Sequence, residues 1–186
     1  GAHAKPFTTK SNAKAMTMYL RISHGLALKK LLVGGLERVY HVGPAFRNED
    51  IDTTHNPEFT LMECYAAYWD YNNMMRLTEK LFQKAVAAIN GGSLQLKRAD
   101  GTVLNFANFQ TITMKEAIKA HGGPDPDTVT DAEIQRILSE NNVVIRGGYF
   151  PVLGIALLFE IFDEAETIKP PFVIAHPEWT TPLCTA

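Results

Sequence analysis

The stretch at 36–65, LERVYHVGPAFRNEDIDTTHNPEFTLMECY, constrains the fold more than any other part of the chain. Residues 38–46 alternate and are rich in Val, Tyr and Phe, and residues 58–65 alternate again, so both read as strands. Between them stand Arg47, Asn48, Glu49, Asp50, Asp52, His55 and Asn56, closed by Pro57. A tight hairpin would need a two-residue turn of the Asn-Gly type instead. A long polar loop carried on two rigid strands is a place where binding groups collect.

Strand parity sharpens this. Side chains two apart share a face. Phe59, Leu61, Glu63 and Tyr65 therefore point one way, and Glu58, Thr60, Met62 and Cys64 the other. Arg47 closes the first strand beside the Phe59 end. A guanidinium holds a phosphate or carboxylate with a bidentate fork. An aromatic ring stacks on a flat base for roughly 1–3 kcal/mol. His55 in the loop could reach a further phosphate. The set suits a nucleotide together with a small cationic ligand. An alternating hairpin of mixed charge is also what an ordinary half-solvated sheet looks like, and pattern alone leaves both readings open.

Composition sets the outer bounds. With 186 residues, 46% hydrophobic and 20% charged, the chain can bury one globular core. A net charge of −2 offers no broad basic surface, so an RNA partner would need local patches or other parts of a larger protein. Cys64 and Cys184 have no metal-ligand spacing and no disulfide framework, which fits reduced thiols in a cytoplasmic protein, with an organelle as the alternative. No metal site of the protein's own is expected. No apolar run approaches the roughly 18 residues of a membrane span. The longest, 150–162, carries Gly154 and Glu160 and fits a buried helix.

In chain order, Gly1, Ala2 and Ala4 suit close backbone approach, and no element is expected before Pro6, as though the chain were cut from a longer one. A strand is expected over 16–22 and a helix over 24–32, stopped by Gly34 and Gly35. Asp70 caps a helix whose apolar stripe is Met74, Leu77, Leu81, Ala85 and Ile89. Residues 94–97 and 102–106 flank Asp100-Gly101 as a hairpin. Thr113 with Glu116, and Thr130 with Glu133, cap two further helices. A buried helix over 151–166 and a core strand over 172–175 follow. Helices around antiparallel strands give an α+β fold.

The central stretch resembles motif 2 of the class II aminoacyl-tRNA synthetases, and within them the lysyl-tRNA synthetases. The residues that carry the likeness are Phe46-Arg47-Asn48-Glu49, His55-Asn56-Pro57-Glu58-Phe59-Thr60, Glu63, Tyr65 and Ala67-Tyr68-Trp69-Asp70-Tyr71. Residues 1–7, 19–22 with LKKLLVGG, and 172–183 also look like family segments. The resemblance makes 1–186 part of one catalytic domain: a motif 2 region at 1–90, a divergent insertion at 91–150, and a buried helix and core strand at 151–186.

What the resemblance implies is activation of lysine by ATP, accompanied by Mg2+, to lysyl-adenylate, and transfer to tRNA by a homodimeric parent protein. Arg47 would be the catalytic residue, on the α-phosphate and the lysine carboxylate. Glu49 would meet the purine edge, His55 the outer phosphates, and Phe59 the adenine ring. Glu63 would face the α-ammonium with the backbone of Gly1, and Tyr65 would border the lysine side chain.

Three positions depart from the family pattern. Ser23-His24-Gly25-Leu26 stands where the family reads APEL, so Gly25 replaces a glutamate that helps hold the substrate ammonium. Gly43-Pro44 stands for Gly-Arg, and Asp50 for a glycine. The family's Gly-rich motif 3 and anticodon-binding domain are not in this stretch, and much of the family's active site is expected beyond Ala186, so this stretch by itself is expected to aminoacylate poorly. An inactive synthetase-like binding module is the alternative, and transfer of lysine to a protein is a third.

Overall fold

The computed structural model describes residues 4–52, 55–145, 148–163 and 170–177. The chain divides into two compact units, 1–72 and 73–186.

The first unit is built on the expected hairpin. Strands β1 (Thr8–Ser11) and β2 (Met16–Tyr19) pair antiparallel, helix α1 spans Gly25–Val33, and β3 (Arg38–Phe46) pairs antiparallel with β4 (Glu58–Ala66). The β3–β4 register runs from Arg38↔Ala66 to Phe46↔Glu58. The alternation that predicts these strands is visible in their exposure. Val39, His41, Gly43, Ala45, Phe59, Leu61, Glu63 and Tyr65 lie on a half-buried to buried face, while Tyr40, Val42, Thr60 and Met62 are exposed on the other. Helix α1 packs on both strands and buries Gly25 and Leu28.

Strand β1 is not expected from its sequence, TTKS, which has no apolar residue; it exists through its pairing with β2. The strand expected over 16–22 ends at Tyr19. Beyond it the backbone turns to other partners. Leu20 N–H donates to Phe7 O (3.0 Å) and Phe46 N–H to Arg21 O (2.8 Å).

Pro44 does not interrupt β3, and the register explains why. Arg47 N–H donates to Pro57 O (2.9 Å), which makes the odd-numbered residues of β3 the hydrogen-bonded partners of β4. The N–H groups of the even-numbered residues point away from β4, as Phe46 N–H does toward Arg21. The donor that Pro44 lacks is one that β4 does not need.

In the second unit lie the body of α2 (Tyr71–Ile89), the hairpin β5 (Gln95–Lys97) and β6 (Val103–Asn105), β7 (Gln110–Thr113), α3 (Met114–Ala120), α4 (Asp131–Glu140), α5 (Pro151–Asp163) and β8 (Pro171–Ile174). Its core is Met114, Ile118, Ile134, Leu138 and Leu158, where α3 and α4 meet α5. The Thr113–Glu116 capping box is complete, and the Thr130 hydroxyl accepts from Glu133 N–H.

Three expectations need correction. Strand β7 is not foreseen, and it pairs with β8 in parallel, Gln110↔Pro171 to Thr113↔Ile174, whereas the other three described pairings are antiparallel. The stripe drawn on α2 does not stay buried: Val86 is its buried residue, while Leu81 and Ile89 are exposed. Three steps of four residues carry Ile89 about 120° round the helix from Leu77. Helix α5 is half-buried along much of its length, with Gly154 and Leu158 fully enclosed, and residues 164–166 of its expected span lie outside the described residues.

Candidate active site

Seven side chains or backbone groups are candidates from the sequence, and six lie among the described residues. Gly1 does not.

Four of the six meet at one end of the hairpin. A cleft of about 190 Å³ is lined by Arg47, Glu49, Asp50, His55, Asn56 and Phe59. Arg47 follows the last residue of β3 and keeps the strand's parity, so its side chain lies on the face of Phe59. The guanidinium carbon stands 5.2 Å from the centre of the Phe59 ring, within cation–π distance. Ala45, wholly buried opposite Phe59, lets the two approach. A flat ligand entering here would meet the aromatic ring and the guanidinium together.

His55 is oriented by a neighbour that the sequence reading passes over. The Asp52 carboxylate accepts from the His55 backbone N–H (2.9 Å), and His55 Nδ1 lies 2.9 Å from both Asp52 oxygens. A carboxylate accepts, so Nδ1 carries the hydrogen. The Asp-x-x-His spacing was the available signal. Asn56 and Asp50 also line the cleft, and Asp50 adds negative charge beside Glu49.

The other two candidates lie further along the same face. Glu63 pairs across the strands with His41, and Tyr65 with Val39. The Arg47/Pro57 and His41/Glu63 pairs are six positions apart, about 20 Å at the usual strand rise. Burial, then the negative charge of Glu63, raises the Tyr65 phenol above its ordinary range, so it stays a hydrogen-bond donor at neutral pH. Lys29 of α1 lies 5.7 Å from the Tyr65 ring centre. Position 25 also reaches this end: a Cβ on Gly25 would stand 2.8 Å from Tyr65 Oη and 3.5 Å from Glu63 Oε2.

Two buried polar atoms lack a hydrogen-bond partner among the described residues of this face: Arg47 Nε and Glu63 Oε2. An unmet buried donor or acceptor costs roughly 1–3 kcal/mol, more when charged. One needs an anion or acceptor, the other a cation or donor. Together they call for ligand groups that are acidic at Arg47 and basic at Glu63. Among the described residues no group of three or more His, Cys, Asp or Glu side chains could hold a metal ion. None of the described helices is long and apolar enough to cross a membrane.

Comparison with known proteins identifies the family. The model of the family described as tRNA synthetases class II (D, K and N) matches residues 1–186. A lysine–tRNA ligase of Sulfolobus acidocaldarius is 44% identical over 99% of this chain and 37% of its own length. Those of Chlamydia caviae and a Thermoanaerobacter species are 43% and 44% identical, over 99% and 98% of this chain and 37% of theirs. The chain thus spans 37% of the length of these relatives. On the strength of a match along its whole length, this chain belongs to the class II tRNA synthetase family.

Proposed function

We propose that this chain is the ATP- and lysine-binding floor of a lysine–tRNA ligase. The observation that carries the reading is the pair of unmet buried atoms, Arg47 Nε and Glu63 Oε2, at opposite ends of one hairpin face. ATP and lysine laid end to end supply phosphate and carboxylate to the first and ammonium to the second.

In this reading adenine stacks on Phe59 beside the guanidinium, with Glu49 at the purine edge. Asp52 presents His55 to the outer phosphates. A lysine carboxylate oxygen attacks the α-phosphorus, the bond to the bridging oxygen breaks, and pyrophosphate leaves. Arg47 faces both the carboxylate and the α-phosphate and holds the negative charge that builds on them. Tyr65 donates to the amino-acid end and Glu63 accepts the ammonium. Mg2+ would neutralise the outer phosphates, and among the described residues Glu49 and Asp50 are the cleft carboxylates that would help hold it. The lysyl group then passes to tRNA, with groups from the rest of a homodimeric parent.

Lysine-dependent exchange of pyrophosphate into ATP, measured in the full-length parent protein, tests this. Arg47→Ala should slow exchange by about 10²–10³-fold, the usual effect of removing one preorganised charge partner. A parent protein that binds neither ATP nor lysine by calorimetry sinks the proposal. That result would favour the second reading, an inactive binding module, which rests on Gly25 and on Asp50 in the phosphate cleft.

A further inference from the structure

A polar cluster behind the Glu63 end of the face plays no part in the chemistry above. His24, the residue before α1, is 1% exposed. Its ring centre lies 4.2 Å from that of His41 on β3. Arg21 Nη1 stands 3.1 Å from His24 Nδ1 and 3.3 Å from His41 Nε2. His24 Nε2 stands 3.4 Å from the Gly43 carbonyl oxygen.

These contacts have one self-consistent proton arrangement. A guanidinium can only donate, so the two ring nitrogens facing Arg21 must both be bare acceptors. His24 then carries its hydrogen on Nε2 and donates it to Gly43 O, an atom that can only accept. His41 carries its hydrogen on Nδ1. Both rings are neutral, and each has a fixed tautomer.

Two members of the cluster adjoin the Glu63 end through the backbone. His24 precedes Gly25, whose missing Cβ leaves room for Tyr65 Oη and Glu63 Oε2. His41 is the cross-strand partner of Glu63. We propose that Arg21, His24 and His41 are positioning residues, which clamp the first turn of α1 to β3 and so hold Gly25 against the Glu63–Tyr65 pair. The amino acid held there is lysine only if the function proposed above holds; the clamp itself does not depend on it.

Nitrogen-15 spectra of the imidazole rings in the full-length protein test the clamp directly. The expected result is a neutral Nε2–H tautomer for His24 and a neutral Nδ1–H tautomer for His41. Arg21→Met, which removes the donors at similar length, should mix the tautomers and move the Gly25 amide and Tyr65 ring resonances. The opposite tautomer on either ring, or unmoved Gly25 and Tyr65 signals in Arg21→Met, overturns the proposal. Should Arg21→Met fail to fold, His24→Asn keeps an acceptor near Nδ1 but not the donor to Gly43; the Gly25 amide must still shift. In the binding arm, His24→Ala should weaken lysine about tenfold, as for one lost charge-assisted hydrogen bond, with ATP affinity kept. Unchanged lysine affinity in His24→Ala counts against the clamp. Failure of the unsubstituted protein to bind lysine counts against the proposed function, and the spectra then decide the clamp alone.

Discussion

Glu63 and Phe59 lie on one strand face, four positions apart, and the proposed site gives them separable duties. Glu63→Gln keeps the shape and removes the charge. It should weaken lysine by about 10–100-fold, the range of a charge-assisted hydrogen bond. ATP affinity should stay within about twofold, because the nucleotide cleft is lined by other residues. Phe59→Leu should do the reverse, costing ATP about 1–3 kcal/mol of stacking while sparing lysine. Separate titrations of each ligand check both, and equal losses of both ligands in either variant would contradict the division. Arg47 and Phe59 were legible in the sequence because they sit on or beside strands whose parity fixes their direction, whereas Glu49, in the loop, came only from the family resemblance. The Asp52–His55 contact was legible in principle, since only two residues of loop stand between its partners. The Arg21–His24–His41 cluster was not, because no local period brings a loop residue, a helix start and a residue of β3 together.

Elements whose signals are local were read well, and those that depend on distant partners were not. The capping box of α3 and the cap of α4 follow from four-residue patterns and are present. The parallel β7–β8 pair joins stretches about sixty residues apart, and neither strand alternates clearly enough to declare its partner. Thr113→Ala removes the hydroxyl that caps α3 and should lower stability by about 1 kcal/mol in urea unfolding. Hydrogen bonds from Thr113 hold the Glu116 carboxyl below its usual 4.5. A depressed carboxyl contributes stability above its unfolded value and loses it as pH falls through the folded one, so the Thr113→Ala deficit should shrink in acid. Tyr149 gives the opposite sign. Burial first, then the bond to Asp131 Oδ1 (3.0 Å), pushes its phenol up to about 12 from 10.0. Between those values the unfolded chain loses the proton while the folded chain keeps it, so stability falls as pH rises. Tyr149→Phe should flatten the melting-temperature profile over that window, and an unchanged slope would show that the phenol does not titrate as inferred.

At the scale of the whole chain, the two units differ in how they are held. In the second unit, five buried apolar side chains on α3, α4 and α5 form one contiguous core. In the first, the buried residues among those described are His24, Gly25, Leu28 and Ala45, and the outer face of the hairpin leaves Tyr40 76% and Val42 57% exposed. A hairpin with so little apolar cover is marginal by itself. Its amides should therefore open more readily than those of α3–α5, since local opening follows apolar burial. Hydrogen exchange of the protein without ligand should give slower exchange in α3, α4 and α5 than in β3 and β4. ATP and lysine together should reverse part of that order. Ligand at about a hundred times its dissociation constant stabilises the bound form by about 2.7 kcal/mol. The added protection should fall on β3, β4 and the cleft residues and leave α3–α5 unchanged. Protection spread evenly over both units would mean that the ligands are not bound on the hairpin face. Protection confined to β3 and β4 would place them where Arg47 and Glu63 wait for partners.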